Sequence, residues 1–67
     1  MEKIKIGEKL RQLRKENRLT QKEFGKMLGF ANKTISDWEI NKNEPDLSTI
    51  RKIKQIFNIS YEELLDD

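Results

Sequence analysis

Apolar residues recur along the chain every three or four positions, which is the spacing of one face of an α-helix. Ile6, Leu10 and Leu13 form the first such stripe and predict a helix that ends near residues 16–18. No stretch shows the strict apolar–polar alternation of a half-buried strand. The pattern therefore predicts an all-α chain, and we find no repeat, linker or low-complexity segment in it.

Residues 21–40, with the sequence QKEFGKMLGFANKTISDWEI, predict two short helices joined by a tight turn. Thr20 and Glu23 have the T-x-x-E spacing of a capping box at the start of the first of them, and Gly29 is a natural stop. The second should span about 32–40 and end at Asn41, a residue type that adopts left-handed conformations. Gly25, a small residue within the first helix, lies where the second helix would cross it closely. This is the pattern of a helix-turn-helix, which places its second helix in the DNA major groove.

Two more helices are predicted after the single proline. Asp46 is a good N-cap for a fourth helix, whose apolar stripe starts at Leu47 and ends at Phe57. Ser60 and Glu63 form a second capping box, which opens a short fifth helix through residue 65. Five short helices with one shared apolar set predict a single compact core. Its expected members are Leu10, Leu13, Leu19, Phe24, Leu28, Ile35, Trp38, Ile50, Ile53 and Phe57.

Length and composition narrow the class of protein. A chain of 67 residues forms at most one domain, here residues 1–67, and buries only about 60% of its unfolded surface. The absence of cysteine and histidine excludes disulfides and the usual zinc sites, and leaves no histidine as a general base. We therefore expect no cofactor and no enzymatic activity. Neither a signal peptide nor ~18 consecutive apolar residues are present, so a soluble, cytoplasmic protein is expected.

Charge is distributed unevenly although the net charge is only +2. Residues 1–34 contain ten Lys or Arg and four acidic residues, whereas residues 35–67 contain four basic and eight acidic residues. One basic half suits a surface that faces phosphates. The alternative is that these charges only solubilise helices, and charge alone does not decide between the two.

Four segments of the sequence occur together in one known family. They are LTQKEFGKMLGF at 19–30, TISDWE at 34–39, Pro45 followed by a helix, and ISYEELL at 59–65. Through them, nearly the whole chain resembles the Cro and phage-repressor helix-turn-helix family, also called the XRE family. The resemblance implies a compact five-helix, lambda-repressor-like fold whose helix-turn-helix, at 21–40, is formed by helices 2 and 3.

The resemblance also implies a DNA-contact site. Gln21 matches a glutamine that contacts phosphate, and a helix N-terminus suits phosphate in any family because its N–H groups are free. Residues at the start of helix 3 match those that face base edges, and the loop after helix 3 matches one that grips the DNA backbone. The full expected set is Gln21, Asn32, Lys33, Thr34, Ser36, Asp37, Lys42 and Asn43.

Several of these positions allow two interpretations. Asn32 suits bidentate pairing with adenine, or it is a helix N-cap, since Ala31 stands where the family usually has a capping Ser or Thr. Lys33 suits guanine or a phosphate. Asp37 is repelled by phosphate unless it accepts from cytosine N4. The alternative is that it faces away and pairs with a lysine, so it ranks below Ser36 as a contact.

The resemblance further places Arg14 and Glu39 at the positions of an internal ion pair between helices 1 and 3. We expect this pair to be enclosed; the alternative is a surface pair of little value. Trp38 lies on the Ile35 stripe, which favours the core over a base-stacking role.

The function predicted from the sequence is sequence-specific binding of double-stranded DNA by a repressor-like transcriptional regulator. A homodimer on a pseudo-palindromic operator is expected, because one domain contacts few base pairs. Its interface is expected to use apolar residues of the acidic half, namely Ile59, Tyr61, Leu64 and Leu65. The alternative is an antitoxin or protein-interaction module that uses the same fold with a protein partner.

Overall fold

The computed structural model describes residues 6–65, without the side chain of Leu65, and these residues form five α-helices. The helices are α1 (Ile6–Glu16), α2 (Gln21–Leu28), α3 (Asn32–Glu39), α4 (Leu47–Phe57) and α5 (Tyr61–Leu65). No strand occurs in this part of the chain. The predicted all-α, five-helix architecture is therefore confirmed, with helix-turn-helix geometry in α2 and α3.

Local capping explains where α2 begins and ends. The Thr20 hydroxyl accepts from the Glu23 N–H at 3.0 Å, while the Glu23 carboxylate accepts from the Thr20 N–H at 2.8 Å. At the other end Gly29 has φ +86°, a left-handed conformation that glycine adopts without penalty from a Cβ. The same reciprocal bonds join Ser60 and Glu63 before α5. Both predicted capping boxes are confirmed.

The third helix begins without a side-chain cap. Ala31 is the N-cap residue and makes no capping hydrogen bond, so Asn32 is the first helical residue and its interpretation as an N-cap was wrong. The helix ends at Glu39, one residue before the predicted end, with Ile40 as its C-cap. Asn41 follows with φ +62°, which confirms the predicted left-handed stop.

The core lies between all five helices and largely matches the predicted set. Leu10, Phe24, Ile35 and Ile53 are fully buried at its centre. Leu19, Ile50 and Phe57 are only partly buried and pack against it. The fully or largely buried apolar residues are Ile6, Leu10, Leu13, Phe24, Leu28, Ile35, Trp38, Ile53 and Leu64.

Two apolar positions at the ends of helices differ from the sequence prediction. Leu47, placed on the buried stripe of α4, is 63% exposed, although Thr49 in the same helical turn is buried. Leu64, assigned to a dimer surface, is only 1% exposed, since α5 packs back against α1 and buries it. The side chain of Leu65 lies outside the described part of the chain. The expected dimer surface on α5 therefore loses one of its apolar members.

A close helix crossing depends on Gly25. A Cβ built on this residue would lie 2.5 Å from the Phe30 carbonyl oxygen and 3.1 Å from Cγ1 of Ile35. Only a residue without a side chain lets the turn and α3 approach α2 this closely. The sequence prediction of a close crossing at Gly25 is confirmed.

Two capping carboxylates make the stability of the fold depend on acid pH. Hydrogen bonds from the Thr20 backbone and side chain lower the pKa of Glu23 below its ordinary 4.5. Hydrogen bonds from the Thr49 side chain and backbone, and from Ser48, lower the pKa of Asp46 below its ordinary 3.8. Their stabilisation is complete above these ordinary values and is lost as the pH falls through the lowered, folded-state values.

We therefore expect the melting temperature to fall between about pH 5 and pH 3 by a smaller amount in the double variant Glu23→Gln/Asp46→Asn than in the wild type. Gln and Asn keep the capping hydrogen bonds but do not titrate. Thermal melts across this range measure the difference. Glu44→Gln/Glu62→Gln is the control, because it removes the same number of charges from exposed carboxylates that make no capping bond. Identical pH profiles for all three proteins would contradict the prediction.

Candidate nucleic-acid interface

The outward face of α3 is defined by the residues that it buries. Ile35, Trp38 and Glu39 face the core. Two residues along a helix are separated by about half a turn, so Lys33 and Asp37, each two positions from Ile35, lie on the opposite face. The helix thus places two charged side chains on its outward face, with Lys33 exposed and Asp37 half-buried.

Lys33 and Asp37 form a salt bridge on this face. The distance from Nζ of Lys33 to Oδ2 of Asp37 is 3.4 Å, and the side chains are 78% and 16% exposed. Asp37 thus pairs with a lysine, as one interpretation predicted, but it does so on the outward face of α3 and is not turned away from it. The pair leaves the ammonium accessible to an approaching ligand while its positive charge offsets the carboxylate.

The remaining predicted positions on α3 flank these two charges. Asn32 is exposed at the first turn, and its side chain has no hydrogen bond in the described structure that would hold it back from a ligand. Thr34 and Ser36 are half-buried on either side of the outward face. Five polar residues of one short helix are thus gathered on or beside one surface.

The loop after α3 is held to the end of that helix. The backbone N–H groups of Lys42 and Asn43 donate to the carbonyl oxygen of Asp37, at 2.9 and 3.4 Å. Both residues are exposed. Their backbone N–H groups are thereby occupied. The groups available to a ligand beside the C-terminal end of α3 are the Lys42 ammonium and the Asn43 side chain.

Gln21 belongs to a polar network that joins three helices. Arg14 donates to both carboxylate oxygens of Glu39, at 2.7 and 3.1 Å, and the Gln21 amide donates to the same carboxylate at 3.1 Å. Arg14 also donates to the carbonyl oxygen of Leu19 at 2.8 Å. The side chains of Arg14 and Glu39 are 12% and 3% exposed, so the predicted enclosed ion pair is confirmed. The hydrogen bond to Glu39 raises the pKa of Arg14 above its ordinary value.

A second link between α1 and α3 was missed by the sequence analysis. The Gly7 N–H donates to Oδ1 of Asn41 at 3.1 Å, and a Cβ at Gly7 would collide with the Trp38 carbonyl oxygen and lie 2.7 Å from that Oδ1. The available signal was a glycine inside a predicted helix, where it costs about 1 kcal/mol relative to alanine and usually has a packing reason. This link holds the residue immediately before Lys42.

Other kinds of site are not found in the described residues. Across 6–65, no group of acidic, cysteine or histidine side chains is arranged to hold a metal ion. None of the five helices has the length and apolar character needed to cross a bilayer. Among the described residues, the outward, charged face of α3 is thus the candidate functional site.

The α2–turn–α3 geometry, in which the second helix packs against α1 and α2 and carries polar residues on its outward face, defines a helix-turn-helix protein. The Helix-turn-helix family model matches residues 10–64, which is most of the chain. The chain belongs to this family, in its XRE-type branch.

Two curated relatives and one solved structure match most of the length of this chain. It is 34% identical over 62 residues to the HTH-type transcriptional activator BcrR of Enterococcus faecalis, covering 92% of this chain and 30% of that protein. It is 32% identical over 62 residues to the antitoxin PezA of Streptococcus pneumoniae, covering 92% and 39%. The crystal structure of the P22 c2 repressor in complex with synthetic operator 9T superposes with a TM-score of 0.80 at 33% identity, covering 91% of this chain and 92% of that one.

The matched region is one part of most of these proteins. The chain spans 28% to 49% of the length of the first curated relatives that it matches. What the relatives share with it is therefore the helix-turn-helix domain.

Proposed function

We propose that this chain binds double-stranded DNA sequence-specifically as a transcriptional regulator of the repressor-like kind, with α3 in the major groove. The single observation that supports this most strongly is the outward face of α3, which carries exposed and half-buried polar side chains, while the buried network at Glu39 ties the helix to α1 and α2. The P22 c2 repressor, whose structure superposes on this fold, was crystallised in complex with a synthetic operator. The proposal is a binding function without catalysis, exercised in the cytoplasm with the DNA.

Six of the eight predicted site residues have proposed roles that fit their positions. Asn32, exposed at the start of α3, pairs with a base edge, and adenine N6 and N7 are the partners that suit its amide. The α2 N-terminus with Gln21 binds one phosphate, and Lys42 with Asn43 binds another. Thr34 and Ser36 provide shorter polar contacts at the edges of the groove.

We further propose that the chain binds as a homodimer. One α3 contacts only a few base pairs, so two copies on a pseudo-palindromic operator are needed for useful specificity. Their half-sites would lie about one helical turn apart, ~34–36 Å. The burial of Leu64 means that α5 supplies fewer apolar contacts to such a dimer than its sequence suggests.

Selection of random duplex DNA by the purified protein at ~0.15 M salt tests the proposal, because non-specific electrostatic binding is already weakened there. We expect enrichment of an inverted repeat. Asn32→Ala is expected to lose ~1–3 kcal/mol of preference at one position of each half-site, without a change in melting temperature.

Asn43→Ala is the matched comparison, since it also truncates an exposed asparagine. A backbone contact carries no sequence information, so this variant should bind all sequences more weakly without changing the selected motif. If the wild type enriches no sequence, specific DNA binding by this chain is excluded; if Asn32→Ala selects the unchanged motif, Asn32 does not contact a base.

A protein partner is the second candidate function, favoured by the similarity to the antitoxin PezA. The same selection separates the two. A DNA-binding regulator enriches a sequence, whereas a domain whose principal contact is with a protein enriches none.

A further inference from the structure

The Lys33–Asp37 pair is an unusual feature for a surface that enters DNA. A carboxylate in the major groove is repelled by the phosphates, and it is tolerated where it accepts a hydrogen bond from cytosine N4. The Lys33 side chain is 78% exposed, and an i,i+4 ion pair that solvent reaches stabilises a helix only weakly. Stability of α3 alone is therefore a weak reason for an aspartate at the centre of this face.

The spacing of the two charged groups matches the edge of one base pair. Nζ of Lys33 and Oδ2 of Asp37 are 3.4 Å apart. Guanine O6 and cytosine N4 are hydrogen-bonded to each other in a G·C pair, and are thus about 3 Å apart. A donor and an acceptor on α3 have nearly the same separation as an acceptor and a donor on this base pair.

We propose that Lys33 and Asp37 act together to recognise a single G·C base pair in each half-site. The Lys33 ammonium donates to guanine O6 and N7, and the Asp37 carboxylate accepts from cytosine N4. The inference rests on the proposed function and adds to it the identity of one base pair in the operator and a specificity role for Asp37.

The arrangement discriminates against A·T through the ammonium. An A·T pair also offers a donor beside an acceptor, adenine N6 beside thymine O4, but only guanine presents two adjacent acceptors to Lys33. In A·T one ammonium hydrogen bond is lost and the thymine methyl group lies beside a charged side chain. The salt bridge within the protein keeps the two groups side by side before DNA is met.

Selection with single and double variants tests whether the two residues recognise one base pair. Asp37→Asn and Lys33→Met are each expected to reduce the preference for G·C at the same position by ~5- to 150-fold, the ratio corresponding to ~1–3 kcal/mol of discrimination. The double variant should lose no more than the larger single loss, because either change disables a shared contact.

Matched charge changes elsewhere on the surface serve as controls. Glu62→Gln and Arg51→Met alter net charge as Asp37→Asn and Lys33→Met do, on exposed residues of α5 and α4. They should shift the affinity for all sequences and leave the motif unchanged. Asp37→Asn should in addition bind random duplex more tightly than the wild type, since a repelled carboxylate has been removed.

Replacing the selected guanine with 7-deazaguanine probes the contact directly. Loss of N7 should weaken wild-type binding several-fold and leave Lys33→Met unaffected. A motif without a required G·C pair, or additive losses at two different base pairs, would overturn this inference while leaving the proposed function intact. A selection that enriches no sequence at all would overturn both.

Discussion

Replacing Glu39 with glutamine is expected to lower the free energy of unfolding by ~3–5 kcal/mol, the loss typical of breaking a buried ion pair. Glu39 accepts three hydrogen bonds, two from Arg14 and one from Gln21. Glutamine places an NH2 group where one carboxylate oxygen accepts, so that donor faces donor. Arg14, with its pKa raised by this partner, remains charged and enclosed without compensation.

Chemical denaturation of the variant and the wild type measures this loss. Glu62→Gln is the control, because it makes the same chemical change on an exposed residue of α5. An effect of Glu39→Gln as small as that of Glu62→Gln would show that the pair is worth no more than a surface one. Arg14→Met/Glu39→Met should recover part of the loss, because apolar residues can replace a buried pair without leaving a charge unpaired.

The elements that the sequence predicted best are those determined by nearby residues. Thr20 and Glu23 are three positions apart, and their reciprocal hydrogen bonds form within one helical turn. Gly29 stops α2 through its own backbone conformation. Such features depend little on the rest of the fold, so helix types and most boundaries could be predicted before any packing was known.

The features that the sequence could not provide depend on how distant elements pack. Leu47 and Leu64 both continue an apolar pattern, yet one is exposed and the other buried. Periodicity shows on which face of its helix a residue lies. It does not show whether another helix packs against that face. Whether α5 packs on α1 decides the burial of Leu64, and that is a tertiary property.

The candidate site also combines features that nearby residues determine with features that depend on distant contacts. The positions of Asn32, Lys33 and Asp37 on one helix follow from their spacing and from the family resemblance. The orientation of α3 is set by contacts far apart in sequence, including the Gly7–Asn41 hydrogen bond across 34 residues. A glycine within a helix indicates close packing at Gly7, but no local pattern identifies Asn41 as the partner, although this contact fixes the residue that precedes Lys42.

Gly7→Ala is expected to destabilise the domain by ~1–3 kcal/mol, the usual cost of overpacking. The added Cβ would collide with the Trp38 carbonyl oxygen and would lie 2.7 Å from Oδ1 of Asn41. The backbone carbonyl cannot rotate away as a flexible side chain can, so α1 must shift from the end of α3. The sign of the effect is decisive, because Gly→Ala at an unobstructed helical site stabilises by roughly 0.5–1 kcal/mol.

Asn41→Gly separates this steric effect from general loss of stability. Glycine keeps the left-handed conformation at position 41 and removes the side chain that the new Cβ meets. Gly7→Ala and Asn41→Gly should therefore destabilise by less in combination than the sum of the single changes.

Gly29→Ala is the matched comparison: its added Cβ meets no atom within 4 Å, and its cost arises from φ +86° alone. It should add to Asn41→Gly within ~0.3–0.5 kcal/mol. A stabilising Gly7→Ala would show that α1 and α3 do not approach each other as closely as the structure places them.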